Sequence, residues 1–138
     1  MEQHDAVDPN EEKRQEILDD HRELGDLLRR IELPEDDATA RRAQVVELRF
    51  VLARHFAREE GGDGLFEIIE SRAPRHSPRL KELSNEHRAL LSDLAVLSSR
   101  LDESVADMDS ELAGFVRELR KHEKLESKLL IDALCGGD

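Results

Sequence analysis

The stretch ARHFAREEGGDG, residues 53–64, places His55 four positions before Glu59, just ahead of a glycine-rich run that would end a helix. The preceding apolar residues recur at helical spacing and share one stripe with this pair: Val45, Leu48, Val51 and Leu52. A carboxylate on an apolar stripe is costly to bury unless a partner compensates its charge. The stretch therefore predicts a helix whose inner face carries a polar pair that needs such a partner.

Three other segments have the same helical periodicity. We predict a first helix from about Glu11 to the residue before Pro34, and this second helix from near Asp37 to the GGDG run. A short helical piece, LFEIIE, and a loop, APRHSP, follow. The inner stripe of the first helix is predicted to contain Ile17, Leu18, His21, Leu24, Leu28 and Ile31.

The second half of the chain supplies two more long helices. Ser77 and Pro78 suit the cap and the first position of the third helix, whose pattern weakens after Leu101. The fourth helix is predicted to begin near Asp107–Asp109 and to run to about Leu134. The third presents Leu80, Leu83, His87, Leu90, Leu91, Leu94 and Leu97, and the fourth presents Leu112, Phe115, Leu119, His122, Glu126, Leu129 and Ala133.

These segments predict an all-α fold, an up-down-up-down antiparallel four-helix bundle. At 138 residues the chain is one domain's worth. We expect a disordered lead at residues 1–10, a four-helix domain at 11–134 and a tail at 135–138, where the lone Cys135 cannot form an internal disulfide.

Composition limits the partners of the chain. A net charge of −12 argues against nucleic acid and against an anionic membrane, because both require a concentrated basic face. The acidic start of the chain lacks the apolar core of an export signal, and nowhere do about 18 apolar residues run together. The sequence predicts a cytoplasmic protein whose partners are small ligands or cations.

A weak internal repeat relates the two halves. DHRELGDL at residues 20–27 resembles EHRALLSDL at 86–94, and the spacing of His55 and Glu59 recurs in His122 and Glu126. The offsets are 66 and 67 residues. The halves are either copies of one ancestor or a convergent pseudo-twofold arrangement.

Six residues on the inner stripes are types that bind metal ions. Imidazole nitrogens and carboxylate oxygens suit iron, manganese or zinc, and residues four apart on a helix project to the same side. Six ligands are too many for one tetrahedral zinc but suit two ions bridged by the two carboxylates. A mononuclear site and a structural polar layer are the alternatives. The candidate metal ligands are His21, His55, Glu59, His87, His122 and Glu126, whereas His4 and His76 fall outside the pattern.

Over roughly residues 14–134 this motif resembles the hemerythrin-like, or HHE cation-binding, family: a lone His, His-x-x-x-Glu, a lone His and His-x-x-x-Glu. The resemblance implies a four-helix bundle that holds two iron ions in an oxo-bridged, non-heme di-iron centre. The oxygen-carrying hemerythrins of marine worms have a further histidine four residues from the third-helix ligand, where this chain has Leu83 and Leu91. Their last carboxylate is an Asp five residues after its histidine, whereas here Glu126 follows at four.

The set of four histidines and two glutamates looks more like the iron-centre repair proteins of the nitric-oxide stress response and the iron-sensing domain of a ubiquitin-ligase subunit. A ferritin-like site is disfavoured because it requires Glu-x-x-His, and no bundle histidine has a glutamate three positions before it. A histidine phosphotransfer bundle requires one exposed histidine, not four in core phase.

Two classes of function follow from this motif. One is a module that binds or senses oxygen, nitric oxide, peroxide or iron. The other is a redox enzyme with peroxidase-like or nitric-oxide-reducing activity, or an iron-centre repair protein. Gly25, one turn after His21, would leave room for a small ligand, or else would permit a close helix contact. Asp20, Glu86 and Glu118 are candidate acceptors for imidazole N–H groups.

Overall fold

The computed structural model describes residues 9–100 and 105–136, and these two ranges contain helices and no strand. Four helices are long and one is short: α1 (Pro9–Glu32), α2 (Ala38–Glu60), α3 (Leu65–Arg72), α4 (Ser77–Ser99) and α5 (Val105–Ile131). A 3₁₀ turn, Pro74–His76, precedes α4, and a π-helical turn, Asp132–Gly136, follows α5. The regular structure in these ranges is all helical, consistent with a four-helix bundle. Residues 1–8 and 137–138 of the predicted lead and tail lie outside the described ranges.

The ends of α2 follow the sequence signals. Asp37 caps α2 by accepting a hydrogen bond from the backbone N–H of Thr39 at 2.9 Å, and the helix ends at Gly61, whose backbone is extended. The start predicted for the third long helix was wrong in one detail. Ser77 is already helical, and its hydroxyl donates to Glu70 at 2.9 Å instead of capping α4.

The core consists of two apolar clusters. We call them the large cluster and the small cluster. The large cluster contains Leu24, Leu27, Leu28, Ile31, Val45, Leu48, Val51, Leu52, Phe56, Leu90, Leu94, Leu97, Met108, Leu112, Phe115, Val116 and Leu119. The small cluster contains Leu65, Ile69, Ala73, Leu80, Leu83, Leu129 and Ala133. Burial of these side chains is the main source of the fold's stability.

Most of the predicted stripes are buried, but α1 differs from its prediction. Leu18 is 53% exposed, whereas Leu27, which was not predicted to face inward, is 1% exposed. The stripes of α2 and α5 are buried as predicted, and Leu91 of α4 is partly buried.

Arg41 stabilises the connection between α1 and α2. Its guanidinium, although almost fully buried, donates to the carbonyls of Ile31 at 2.7 Å and Leu33 at 3.1 Å. It also donates to Asp109 of α5 at 2.9 Å. Since every contact is charge-assisted, Arg41 fixes one end of the bundle.

None of the helices in the described ranges has the length and apolarity required to cross a membrane.

Candidate metal centre

A layer of histidines and carboxylates lies along the long helices between the two apolar clusters. On α4, for example, Leu80 and Leu83 belong to the small cluster, His87 follows, and Leu90 and Leu94 belong to the large cluster. The structure brings together the six residues that the sequence singled out and adds one, Glu123 of α5.

These seven side chains form two groups. In each group the candidate ligand atoms lie within 4.8 Å of one another. The outer group consists of His21, His55, Glu59 and Glu123, and the inner group consists of Glu59, His87, His122 and Glu126. Only Glu59 belongs to both groups.

The outer group is open on one side. His55 Nε2 lies 2.9 Å from Glu59 Oε2 and 3.1 Å from Glu123 Oε1. His21 Nδ1 lies 3.0 Å from Glu123 Oε1, and its Nε2 lies 3.7 Å from Glu59 Oε2. His21 and Glu123 are 22% and 14% exposed, whereas the other two side chains are almost fully buried.

The inner group is closed. His87 Nε2 lies 2.8 Å from Glu126 Oε2 and 3.2 Å from Glu59 Oε1. His122 Nε2 lies 2.9 Å from Glu126 Oε2. No side chain in this group is more than 4% exposed.

Several of these buried atoms are close to a neighbour yet make no hydrogen bond. Both oxygens of Glu59, one oxygen each of Glu123 and Glu126, and Nδ1 of His55 lack a hydrogen-bond partner. Leaving buried carboxylate oxygens unpaired is costly. The nitrogen and oxygen atoms within each group converge without hydrogen bonding in full, which is the arrangement expected of ligands around a cation. The residues present therefore fit a metal centre.

The charges in this layer are strongly coupled. Burial lowers the pKa of His55, but Glu123 and Glu59 outweigh burial and raise it to about 10. Burial opposes the ionisation of Glu59, yet His55 and His87 lower its pKa to about 2. Burial and the neighbouring Glu59 and Glu123 raise the pKa of Glu126 well above its usual value. Because Glu59, Glu123 and Glu126 lie close together, all three can be ionised only if another cation lies beside them; otherwise one of them keeps a proton.

The outer nitrogens of two histidines are held by carboxylates. His87 Nδ1 donates to Glu60 at 2.5 Å, and His122 Nδ1 donates to Glu86 at 2.8 Å. These bonds leave Nε2 of each ring facing the inner group, which is how carboxylates orient metal-binding histidines. Of the acceptors suggested by the sequence, only Glu86 is confirmed, and Glu60 was missed.

The other two suggested acceptors were wrong. Asp20 accepts from Arg58 at 2.5 Å, and Glu118 is exposed beside Lys121 at 3.9 Å. Neither carboxylate has a hydrogen bond to a histidine among the described residues, because each is engaged by a basic side chain on the outside of the bundle.

Aromatic rings cover His87. Phe56 stacks on its imidazole with ring centroids 3.8 Å apart, and Phe66 stacks at 5.2 Å. Phe56 follows His55 directly, just as Glu123 follows His122. The internal repeat therefore places a phenyl ring in one half where the other half has a carboxylate. Because the repeat pairs Glu123 with a phenylalanine, it did not indicate Glu123 as a ligand. The position of Glu123, three residues before Glu126 on the same helix, could have indicated it.

Gly25 makes no close helix contact. A side-chain carbon placed there would meet only the guanidinium of Arg29, at 3.6 Å. Of the two explanations offered by the sequence, the close contact is thus wrong.

The remaining histidines lie elsewhere. His76 contacts Asp132 at 2.7 Å and belongs to neither group, and His4 lies outside the described residues.

Comparison with known proteins agrees with this geometry. A search among curated proteins gave no match, and a search among solved structures gave none either. Residues 13–134 match the family described as "Hemerythrin HHE cation binding domain", which covers most of the chain and all seven side chains of the two groups. With its four long helices and its paired histidine–carboxylate groups, the chain belongs to the hemerythrin HHE cation-binding family.

Proposed function

We propose that the chain binds two iron ions, one in the outer group and one in the inner group, with Glu59 bridging them. The observation that carries this proposal is the direction of the two Glu59 oxygens. Oε2 approaches His55 of the outer group at 2.9 Å, and Oε1 approaches His87 of the inner group at 3.2 Å. Neither oxygen has a hydrogen-bond partner. A carboxylate that presents one oxygen to each of two ligand sets is suited to bridge two cations.

The proposed ligand set differs from the sequence prediction in one respect. The sequence favoured bridges from both Glu59 and Glu126, but Glu126 lies with the inner group alone and Glu123 completes the outer group. Each ion would then have two histidines, its own carboxylate and a shared carboxylate. Mixed nitrogen and oxygen donors of this kind suit iron.

We also propose the up-down-up-down helix order for the bundle. Along α1 and α4 the polar layer is followed by residues of the large cluster, whereas along α2 and α5 it is preceded by them. This alternation of direction supports the proposed order and lets each long helix contribute one histidine to the layer.

The bound ions would supply redox chemistry and open coordination positions for a small ligand. The residues of the chain have three tasks around them. Glu60 and Glu86 orient the imidazoles of His87 and His122. The apolar clusters exclude water from the inner group. The partly exposed side of the outer group, near His21 and Gly25, would leave space for oxygen, nitric oxide or peroxide.

The function that this arrangement supports best is binding or sensing of such a small ligand, or of iron itself. Metal analysis of the purified chain tests the centre, with two irons per chain expected. One zinc per chain, or no tightly held metal, would contradict the proposal.

A second measurement separates binding from catalysis. The ferrous protein is mixed with oxygen, nitric oxide or peroxide in a stopped-flow instrument, with and without a reductant. We expect single binding or oxidation events, with oxygen held only briefly. Sustained turnover of peroxide or nitric oxide would instead identify a redox enzyme, and a long-lived reversible oxygen complex would identify an oxygen carrier.

A further inference from the structure

A cavity of about 150 Å³ opens beside the outer group, between α1, the end of α2 and the loop at residues 61–64. Its walls are formed by Glu16, Ile17, Asp20, His55, Arg58, Glu59 and the loop. The loop is built from three glycines and Asp63, so little side-chain volume obstructs the opening. The cavity thus connects the outside of the molecule with two candidate ligands, His55 and Glu59.

The inner wall of the cavity carries polar atoms that lack partners. His55 and Glu59 are only 2% and 4% exposed, and both line the cavity. Nδ1 of His55 and both oxygens of Glu59 make no hydrogen bond. This wall is therefore ready to receive a cation or a hydrogen-bonding molecule.

The outer wall selects by charge. Besides Glu59, three carboxylates line the cavity, those of Glu16, Asp20 and Asp63, against one guanidinium, that of Arg58. Arg58 donates to Asp20 at 2.5 Å, so this cation is already neutralised by one of the three acids. The acids on this wall outnumber its one guanidinium, and this excess of negative charge draws cations toward the opening and repels anions.

The inner group has no comparable opening among the described residues. His87, His122 and Glu126 are at most 3% exposed, and none of them lines this cavity. Phe56 and Phe66 cover the ring of His87. The outer group therefore lies between the cavity and the inner group. Glu59 belongs to the outer and the inner group and also lines the cavity.

We propose that this cavity is the route by which divalent metal ions reach the centre. An incoming ion meets Asp20 and the neighbouring acids first and then the outer group. Glu59, which belongs to both groups, would transfer the first ion to the inner group, and a second ion would then bind in the outer group. Arg58 restrains uptake because it occupies the carboxylate of Asp20. This inference rests on the proposed metal centre.

The test measures the rate of metal uptake by the metal-free full-length chain after mixing with Co(II) or Fe(II). Asp20→Asn removes an attracting charge and frees Arg58, so uptake should slow by about three- to tenfold at low ionic strength. Arg58→Gln frees Asp20 and should accelerate uptake by a similar factor. Salt should reduce both effects. Glu118→Gln, which removes an exposed acid that does not line the cavity, is the control.

The opposite signs of these two effects are decisive, since a merely structural ion pair would make both variants change in the same direction. Equal rates in all variants, or a change of the same sign in both, would overturn the proposal. Gly62→Leu is an independent test, because Gly62 lines the cavity and a side chain there meets no atom within 4 Å, so the added bulk should be tolerated at the opening. It should slow uptake without lowering the final metal content. A chain that takes up no metal would refute the metal centre itself, so the two failures are distinguishable.

Discussion

Phe56 stacks on the imidazole of His87, with ring centroids 3.8 Å apart and ring planes 8° apart. Its counterpart in the internal repeat, Glu123, instead approaches the imidazole of His21 at 3.0 Å. The two halves of the bundle therefore support their lone histidines differently, by an aromatic ring in one half and by a carboxylate in the other. The two groups of candidate ligands are therefore not equivalent.

Replacement of Phe56 by Ala should lower the free energy of unfolding by about 3–5 kcal/mol, because the ring is buried and its loss leaves a void beside His87. Urea unfolding of the metal-free chain measures the effect. The matched control is Phe50→Ala on the same helix, where the ring is 74% exposed. That change should stay within about 0.5 kcal/mol. Equal effects of the two substitutions would contradict the placement of Phe56.

Metal content should report how the two groups share their ligands. Glu59→Ala removes the shared carboxylate, so both ions should be lost or bound weakly. Glu123→Ala affects the outer group alone, and about one ion per chain should remain. Atomic absorption of each dialysed variant provides the count. The control is His76→Ala, which should retain the full metal content; retention of two ions by Glu59→Ala would refute the bridging role.

Stability of the metal-free chain should depend on pH through this layer. The pKa of His55 is raised to about 10, so its stabilising contribution is complete below about 6.5 and disappears as pH rises toward 10. Glu126, whose pKa is also raised, becomes destabilising in the same direction as it ionises. Glu59, whose pKa is lowered to about 2, stabilises the fold above about 4.5 and loses this effect as pH falls toward 2.

The unfolding free energy of the metal-free chain should therefore fall on either side of a maximum between about pH 4.5 and 6.5. Metal binding must displace the protons of His55 and Glu126, so apparent metal affinity should rise with pH through this range. Thermal unfolding across a pH series, with and without metal, measures both trends. A metal affinity that does not change with pH would show that these protons are not displaced.

Arg41→Met should lower the free energy of unfolding by about 2–3 kcal/mol, because it leaves the carbonyls of Ile31 and Leu33 without their buried donor. Chemical denaturation measures the loss, and Arg49→Met on the exposed face of α2 is the matched control. Metal content should not change in either variant, since Arg41 lies at the end of the bundle away from the polar layer. Loss of metal from Arg41→Met would contradict that separation.

Sequence periodicity located the long helices and the six predicted ligands because each of these residues shares a stripe with buried leucines or valines. His55 and Glu59, for example, follow Leu48 and Leu52 at helical spacing. Periodicity does not show whether a neighbouring helix covers a position that is in phase. Leu18 was in phase but is exposed, because α1 turns this position toward solvent.

Glu123 shows the other limit of a sequence pattern. It lies four residues after Leu119 and three before Glu126, at the edge of the inner stripe of α5, and periodicity alone does not show which residue it would meet. The packing of α1 against the layer brings His21 within 3.0 Å of it and makes it partly buried. Glu60 likewise sits beside the stripe of α2 and meets His87 only because α2 and α4 are adjacent. Contacts of this kind depend on helix packing, which no single helix encodes.

The position of the polar layer between two apolar clusters has a consequence for cooperativity. The small cluster, which includes α3, is not joined to the large cluster by leucine side chains alone. Part of the connection runs through the polar layer, where the carboxylates of Glu59, Glu123 and Glu126 lie close together. Without metal the small cluster should form a separate unit of low local stability, whose amides exchange hydrogen well before global unfolding. With metal the two units should open together, because the proposed ions would join helices from both. Iron would then decide whether this chain unfolds in one step or in two.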